Sequence, residues 1–304
     1  MKINKILLTG SSGTIGTRLF EKLLERGYKV IGFDKKLNEW HSMLDNLTIK
    51  GDLLKKREIS KLPNDFDLII HFAANARVYD LVVKPDLALE NIITTYNILN
   101  FAFKNKIKNF IFSSSREIYS NKPSIISRET EVDIHLCESP YSASKIADET
   151  LIYSFSKCYN IDYLILRFSN VYGMYDRSDR FVPLMIKKMQ KNQNVSIYGK
   201  NKLLDFTYID DCIEGIIKSI ERFPKIKNNA INIGSGRGEK LTNVARLIRN
   251  ELGNKSKIII KPSRTGEVIG YIADISKAEK LLDYNPQYFI EKGIKLTINW
   301  YRKH

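Results

Sequence analysis

The stretch Lys5-Ile6-Leu7-Leu8-Thr9-Gly10-Ser11-Ser12-Gly13-Thr14-Ile15-Gly16 decides the fold of this chain of 304 residues. The apolar run 5–9 predicts a buried strand, and the amphipathic segment 18–26 predicts a helix. A second apolar run, 28–33, closes on Asp34. The glycines let the backbone turn tightly against a pyrophosphate, and the helix N-terminus supplies N–H donors and a positive dipole end. These residues predict a dinucleotide-binding β-α-β unit.

The end of the second predicted strand indicates which dinucleotide is bound. A carboxylate at Asp34 would accept hydrogen bonds from a ribose diol, and its charge disfavours a 2′-phosphate. This argues for NAD over NADP, although Lys35 and Lys36 follow directly and leave NADP open on this observation.

The alternation of strands and helices continues to about residue 170. Apolar runs separated by helical segments predict an α/β fold with a Rossmann, doubly wound parallel sheet. We expect an NAD-binding domain over 1–170, with 205–233 packing back on it, and a smaller, interlocked substrate-binding lobe over 171–304. Ligands of such sheets bind beyond the carboxyl ends of the strands. One crevice is therefore expected to collect the residues that follow the strands: 10–16, Asp34, Asp52, 73–75, 113–115, Ser169 and Asn170.

A tyrosine and a lysine four positions apart supply candidate chemistry. If 141–158 is a helix, Tyr141 and Lys145 lie one turn apart on the same face. A cation beside a phenol favours the phenolate and lowers the tyrosine pKa, so we expect Tyr141 to act as a base near neutral pH. The alternative interpretation is a half-buried helix tyrosine without chemistry.

Composition and charge limit the binding partners and the cellular compartment that we expect for this chain. Hydrophobic residues make up 43% of the chain, which argues against disorder. The formal net charge is +15, but the lysines are scattered rather than interleaved with aromatics, so we expect no nucleic-acid partner. We see no apolar run near the ~18 residues that span a bilayer, and no signal-peptide pattern, so we expect no membrane contact. Cys137, Cys158 and Cys212 indicate reduced thiols in a cytoplasmic protein, and we expect no metal.

Taken together, the chain resembles the extended short-chain dehydrogenase/reductase family, in its NAD-dependent nucleotide-sugar epimerase/dehydratase branch. The resemblance covers nearly the whole chain. It rests on these motifs in this order: TGSSGTIG (9–16), GDL (51–53), HFAAN (71–75), FIFSSSREIYS (110–120), PYSASK (140–145), RFSNVYG (167–173), DFTYIDD (205–211), INIGSGRG (231–238) and SRTGE…ADISKA (263–278).

The resemblance implies a role for each matching residue. Tyr141 would be the base, Lys145 would lower its pKa and bind the nicotinamide ribose, and Ser115 would share the proton of the sugar hydroxyl; Glu117 is a further catalytic candidate. The residues that match NAD contacts are Gly10, Ser12, Gly13, Thr14, Ile15, Gly16, Asp34, Asp52, Leu53, Phe72, Ala73, Ala74, Asn91, Ser113, Tyr141 and Lys145. Those that match contacts to a nucleotide-sugar substrate are Asn75, Ser115, Arg116, Asn170 and Arg264. The family usually dimerises through helices that match 86–104 and 141–158, so a homodimer is expected.

Two departures from the family pattern bear on the reaction. Dehydratases of the family carry Asp-Glu after the matching serine, whereas this chain has Arg116 and Glu117. For Arg116 two interpretations stay open: a solvated ion pair with Glu117 at a loop, and a contact to the substrate. The arginine that usually clamps the diphosphate is replaced by Leu204, and Lys202 or Arg237 are candidates to compensate.

The function expected is an NAD-dependent nucleotide-sugar epimerase that oxidises a sugar hydroxyl, at C4, and returns hydride to the opposite face. A 4,6-dehydratase, a decarboxylase or a 4-keto reductase on the same scaffold stays open. A non-catalytic NAD- or RNA-binding relative is a remote alternative, which intact Ser115, Tyr141 and Lys145 speak against.

Overall fold

A computed structural model of the chain describes residues 3–264 and 268–304. Its strands are β1 Lys5–Thr9, β2 Lys29–Asp34, β3 Thr48–Lys50, β4 Leu68–His71, β5 Asn109–Ser115, β6 Ile126–Ser127, β7 Asp162–Phe168, β8 Asn170–Tyr172, β9 Val195–Tyr198, β10 Leu203–Tyr208, β11 Asn229–Ile233, β12 Gly238–Lys240, β13 Ile258–Lys261 and β14 Gly270–Ala273. Its α-helices are α1 Thr14–Glu25, α2 Ser42–Asp45, α3 Lys56–Ile59, α4 Val78–Val83, α5 Asp86–Lys104, α6 Pro140–Tyr159, α7 Phe181–Gln190, α8 Ile209–Glu221, α9 Phe223–Ile226, α10 Leu241–Glu251, α11 Ser276–Leu282 and α12 Ile290–Tyr301. Residues 116–119 and 134–136 form 3₁₀ helices. Thr265, Gly266 and Glu267 of the SRTGE motif lie outside the described residues.

The central sheet has seven parallel strands in the order β3-β2-β1-β4-β5-β7-β11 within the described chain. Strands β2 and β3 follow on one side of β1, and β4, β5, β7 and β11 follow on its other side. The topological switch point therefore lies between β1 and β4. This order confirms the predicted doubly wound α/β fold, and it places the first βα turn at the switch point where such sheets bind ligands.

The first strand shows why the sheet is buried on both faces. Ile6 and Leu8 pack into one hydrophobic cluster and Leu7 packs into another, and all three side chains are fully buried. Successive side chains of a strand point to opposite faces, so a continuous apolar run requires cover on both sides. Helices on the two faces provide that cover.

Two predicted elements differ from those observed. The helix expected over 85–105 begins at Asp86 and is preceded by the separate helix α4, which ends at Val83. Lys84 between them has φ −129° and ψ 83°, outside the helical region that is disfavoured for the residue before a proline. The strand expected over 109–112 runs on to Ser115 because 113–115 pair with 166–168 of β7.

The later part of the chain both completes the central sheet and forms smaller sheets. Strand β11 pairs with β7, and helix α8 packs against α1. Strand β10 pairs with β8, β12 and β14, while β9 pairs with β13. Sequence patterns did not predict β6, β8, β12, β13 and β14, all of which are only two to four residues long. The domain boundary at residue 170 stays a prediction.

Candidate active site

A cavity of about 530 Å³ lies at the carboxyl ends of the central strands. Its size is in the range of small-molecule and cofactor sites. The predicted site residues in its lining are Gly10, Gly13, Thr14, Ile15, Gly16, Phe72, Ala74, Ser113, Ser115, Arg116, Glu117, Tyr141, Lys145, Asn170 and Arg264. Seven further predicted residues of the described chain lie outside the lining: Ser12, Asp34, Asp52, Leu53, Ala73, Asn75 and Asn91.

Close packing in the turn after β1 explains why two of its positions are glycines. Gly10 has φ +71°, and a Cβ there would lie 2.6 Å from the backbone nitrogen of Ala73. A Cβ on Gly16 would collide with the carbonyl oxygen of Gly10. The turn is therefore tight enough to bring the N-terminus of α1 to the cavity wall, which fits the pyrophosphate of a dinucleotide.

Asp34 holds this turn from the end of β2. Its Oδ2 accepts a hydrogen bond from the backbone N–H of Ser12 at 3.0 Å, and its Oδ1 accepts one from the N–H of Lys36 at 3.1 Å. Asp52 follows β3 nearby and lies 3.4 Å from the Nζ of Lys35. The carboxylates thus stand where a ribose diol would lie beside the turn. Their contact with NAD stays a prediction.

Asn91 and Asn75 form a brace beside the cavity. The Asn91 side chain accepts from the N–H of Asn75 at 2.7 Å, and it donates to the Asn75 carbonyl and to the Ser144 hydroxyl. The Asn75 side chain donates to Leu87 and Glu90 of α5. These bonds tie the loop after β4 to α5 and α6. A direct ligand contact by either asparagine stays a prediction.

Helix α6 presents the tyrosine and the lysine to the cavity. Ser139 caps its N-terminus by accepting a hydrogen bond from the Ser142 N–H at 3.2 Å, and Pro140 occupies the first turn. Tyr141 and Lys145 are then one turn apart, and both are buried. The Lys145 Nζ donates to the Ser113 carbonyl at 3.0 Å, so the lysine connects α6 to β5.

Burial dominates the acid–base character of this pair. It raises the pKa of Tyr141, while a hydrogen bond with Ser115 and the positive charge of Arg180 act in the opposite direction. Burial also lowers the pKa of Lys145, against the charges of Asp148 and Glu149. The expectation that the pKa of Tyr141 is lowered is wrong for this structure, because burial outweighs the groups that favour the phenolate. The ammonium group of Lys145 lies against Ser113, Phe112 and Asp148.

Ser115 has two contacts, one local and one across the cavity. It ends β5, and its hydroxyl accepts a hydrogen bond from the Glu117 N–H at 3.2 Å, so it caps the 3₁₀ helix 116–119. It also forms a hydrogen bond with Tyr141. The cap fixes the serine at the strand end, and the bond to Tyr141 places a second hydroxyl beside the phenol.

Arg116 and Glu117 form a buried ion pair next to Ser115. The Arg116 Nη2 lies 2.5 Å from the Glu117 Oε1, and the two residues are only 8% and 6% exposed. Arg116 Nε also donates to the Asn170 side chain at 3.1 Å, and Asn170 donates to the Asp205 carbonyl. The alternative of a solvated pair is therefore wrong, because both side chains are buried, with Asn170 of β8 bonded to the guanidinium and the Tyr271 ring of β14 centred 5.8 Å from it.

Lys202, Arg237 and Arg264 are the cationic residues that are candidates to bind the diphosphate. Leu204 and Lys202 both line the cavity, whereas Arg237 stacks on Phe289 with 3.8 Å between the guanidinium carbon and the ring centroid, outside the lining. Arg264 lines the cavity, with its guanidinium carbon 3.9 Å from the ring centroid of Tyr198. Lys202 can therefore reach a ligand in the cavity, and Arg237 cannot.

Sequence reasoning missed several lining residues that come from helices, strands and loops spread between residues 77 and 206. They are Arg77, Tyr79, Arg180, Tyr198, Phe168 and Phe206. Arg180 is the N-cap residue of α7, at the end of the loop that follows β8, and this position is the one signal that could have pointed to it. No spacing rule brings Tyr79, Tyr198 and Arg264 together, since they come from three distant segments.

The comparisons with known proteins define the class. The model of the NAD dependent epimerase/dehydratase family matches residues 6–234. This chain belongs to that family. The match confirms the predicted class of enzyme and its NAD cofactor, and the glycine turn and Asp34 described above fit that dinucleotide.

Individual relatives lie in the same group. A putative UDP-glucose 4-epimerase of Methanocaldococcus jannaschii is 31% identical over 98% of this chain and 99% of the relative. The crystal structure of UDP-glucuronic acid 4-epimerase from Bacillus cereus, in complex with UDP-glucuronic acid and NAD, is 30% identical with a TM-score of 0.90. That of UDP-glucose 4-epimerase from Thermotoga maritima with UDP-glucose is 29% identical with a TM-score of 0.90. Each match covers 98% of this chain and 99% of the solved one.

Proposed function

We propose that this protein is a nucleotide-sugar 4-epimerase in which Tyr141 takes the proton of the sugar 4-hydroxyl. The observation that supports this most is the convergence of Ser115, Tyr141 and Lys145 on the wall that also carries the glycine turn. When bound, NAD supplies the hydride acceptor and returns the same hydride, so the reaction is redox-neutral overall.

The chain's own residues move and hold the proton. Tyr141 must be a phenolate to act as base, and the Ser115 hydrogen bond and the Arg180 charge favour that form. Ser115 stabilises the oxygen of the sugar as its proton leaves. Lys145, one turn beyond Tyr141, binds the nicotinamide ribose and adds its positive charge to the site.

We propose a UDP-sugar substrate held between a Rossmann lobe, 1–170, and a smaller lobe, 171–304. The relatives' names and bound ligands support the class. Arg264 and Asn170 contact the diphosphate, and Lys202 supplies the positive charge that Leu204 lacks. Both cations are in the cavity lining.

A decarboxylase or a dehydratase is the second candidate, and one observation favours it. Glu117 is a buried carboxyl in the lining, directly beside Ser115. In a dehydratase, a base at that place could remove the C5 proton after C4 oxidation while the 6-hydroxyl leaves as water; in a decarboxylase the C6 carboxylate would leave as carbon dioxide, and no such base is needed. The Arg116 ion pair must open before Glu117 can do so.

The test is product analysis with UDP-glucose and UDP-glucuronic acid as probes. Epimerisation predicts products of unchanged mass with an inverted C4 by NMR; loss of water or carbon dioxide would identify the second candidate. Tyr141→Phe should abolish turnover and leave NAD binding largely intact. Tyr153→Phe is the matched control, since Tyr153 lies on the same helix but bonds Glu149 rather than lining the cavity. Full activity in Tyr141→Phe would contradict the mechanism.

We also propose a cytoplasmic homodimer that buries one face of α5 and α6. The support is a set of exposed apolar side chains on these two helices: Leu89, Ile93, Tyr96, Phe103 and Tyr159. The free cysteines agree with a reducing compartment. In the described residues no helix is long and apolar enough to cross a membrane.

Light scattering with Ile93→Glu tests the dimer. A buried charge at such an interface should yield monomers. Met43→Glu, at an exposed apolar residue away from these helices, should leave the mass unchanged. A monomeric wild-type protein would refute the dimer.

A further inference from the structure

Asp148 is a buried carboxyl that the proposed mechanism does not use. It lies on α6, one turn after Lys145, and it is fully buried. Its Oδ2 is 3.8 Å from the Lys145 Nζ, and both side chains are almost inaccessible to solvent. A buried charge needs a partner of opposite sign, so each of these two groups is the natural counter-ion of the other.

The surroundings of Asp148 are otherwise short of positive charge. The Thr95 hydroxyl of α5 faces the carboxyl, Glu149 adds a second negative charge, and the Asp148 charge acts on Tyr141, two turns earlier on α6. Thr95 also lies 3.3 Å from the Nε2 of His71, on β4, a fully buried ring whose pKa burial and the Lys145 charge lower to about 3. His71 is therefore neutral at physiological pH.

The surroundings of Lys145 are mostly apolar. Its Nζ lies 4.4 Å from the ring centroid of Phe112 and donates to one backbone carbonyl, that of Ser113. Burial lowers its pKa, and the charges of Asp148 and then Glu149 raise it. Glu149 is already bound bidentately by Arg167. Asp148 is thus the carboxylate that remains for the lysine.

We propose that Asp148 is a positioning residue that keeps Lys145 protonated and oriented, so that the Asp148–Lys145 pair sets the alkaline limit of the reaction. This rests on the proposed function, since the charge on Lys145 matters to turnover only if Tyr141 is the reacting base. Burial raises the Asp148 pKa to about 7. The carboxyl is therefore ionised in the alkaline range, where the lysine would otherwise lose its proton.

The experiment compares the pH profile of kcat in wild type, Asp148→Asn and Asp148→Glu. Loss of the carboxylate should move the alkaline limb of Asp148→Asn to lower pH by about one unit or more. Asp148→Glu keeps the charge and should keep the limb near its wild-type position. A purely structural role would lower activity at every pH without moving the limb, and that result, or an equal shift in both variants, would overturn the proposal.

A second readout does not depend on turnover. A carboxyl whose pKa is higher in the folded state binds its proton more tightly there, so its contribution to stability is lost as pH rises from about 4 to about 7. Asp148→Asn should lack this loss in urea unfolding. A loss that continues well above pH 7 would count against the ionised pair, because the carboxyl would then still be protonated in the alkaline range where the lysine needs its charge.

These outcomes separate the two proposals. Activity in Tyr141→Phe would refute the proposed function, while the unfolding comparison would still test the pair. If Asp148→Asn does not fold, Thr95→Val replaces it. Removing the Thr95 hydroxyl destabilises the ionised form of Asp148. The alkaline limb of the kcat profile should therefore also move to lower pH, by a smaller amount than in Asp148→Asn.

Discussion

Burial sets the acid–base behaviour of the residues around the cavity. It raises the pKa of Tyr141, lowers that of Lys145 and raises that of Asp148 to about 7. Of these groups, Tyr141 and Lys145 line the cavity, and shifted groups in a cleft indicate a candidate functional site. The shifts also mean that the reacting form of each residue depends on its neighbours.

The first prediction for a single residue concerns Asp34. Asp34→Ala should weaken NAD binding, because it removes the proposed ribose contact and frees the Ser12 N–H that holds the turn. The affinity loss should be on the order of tenfold, as for a hydrogen bond to a charged group. Calorimetric titration with NAD measures it. Unchanged affinity would refute the ribose contact.

Arg264 and Arg237 both stack on an aromatic ring, but only Arg264 lines the cavity, so the two allow a matched test of substrate binding. Arg264→Ala should raise KM for a UDP-sugar by on the order of tenfold, because a guanidinium–phosphate bond is lost. Arg237→Ala should change KM little, since Arg237 stacks on Phe289 outside the cavity lining. Equal effects of the two substitutions would contradict the assignment of Arg264 to the diphosphate.

At the scale of elements, α6 is anchored by a buried charge network. Glu149 accepts bonds from Arg167 of β7 at 3.0 and 2.7 Å and from the Ser114 hydroxyl of β5 at 2.6 Å. Arg167 also donates to the Tyr119 hydroxyl at 3.0 Å. The helix that carries Tyr141 is thereby fixed to the two strands whose ends form the cavity floor.

Breaking one side of this network should destabilise the fold strongly. Arg167→Met leaves Glu149 buried without its counter-ion, at a cost of about 3–5 kcal/mol in the free energy of unfolding. The double variant Arg167→Met/Glu149→Leu should recover much of that loss, because no uncompensated charge remains. Urea unfolding measures both. A single variant as stable as wild type would show that the pair contributes little.

Element prediction from sequence succeeded where periodicity is long and local. Helices α6, α10 and α12 and strand β9 lie within two residues of the bounds that sequence patterns predict for them, which are 141–158, 242–252, 290–301 and 195–198. It failed for α4, whose end is set by the residue before a proline, and for β6, β8, β12, β13 and β14. Strands of two to four residues carry too little pattern to be read, because pairing with distant partners decides them.

At the scale of the whole molecule, the two hydrophobic clusters on the faces of the central sheet bury polar groups with the apolar ones. His71 is the clearest example. Its Nδ1 lies 2.7 Å from the Thr9 hydroxyl, its ring is fully buried, and its pKa is lowered to about 3. The folded protein therefore holds this histidine neutral at pH values where the unfolded chain protonates it.

This predicts how acid affects stability. Because the folded pKa of His71 is lowered, the unfolded state binds more protons below pH 6.5, and stability falls as pH drops from about 6.5 toward 3. The slope from this group is up to about 1.4 kcal/mol per pH unit. His71→Gln should flatten the slope in urea unfolding, whereas His135→Gln, at an exposed residue, should not. Identical slopes in wild type and His71→Gln would be the contrary result.

The sequence by itself determined the α/β fold, the NAD cofactor and the residues that gather at the strand ends. These depend on short motifs, such as 9–16 and 140–145, whose spacing positions them on a turn or a helix face. Only the tertiary structure decided which charges meet: Lys145 lies against Asp148 and Ser113, Arg116 is buried with Glu117, and Arg237 lies away from the cavity. Burial and contacts between distant segments control pKa and ion pairing, and neither is encoded in local spacing.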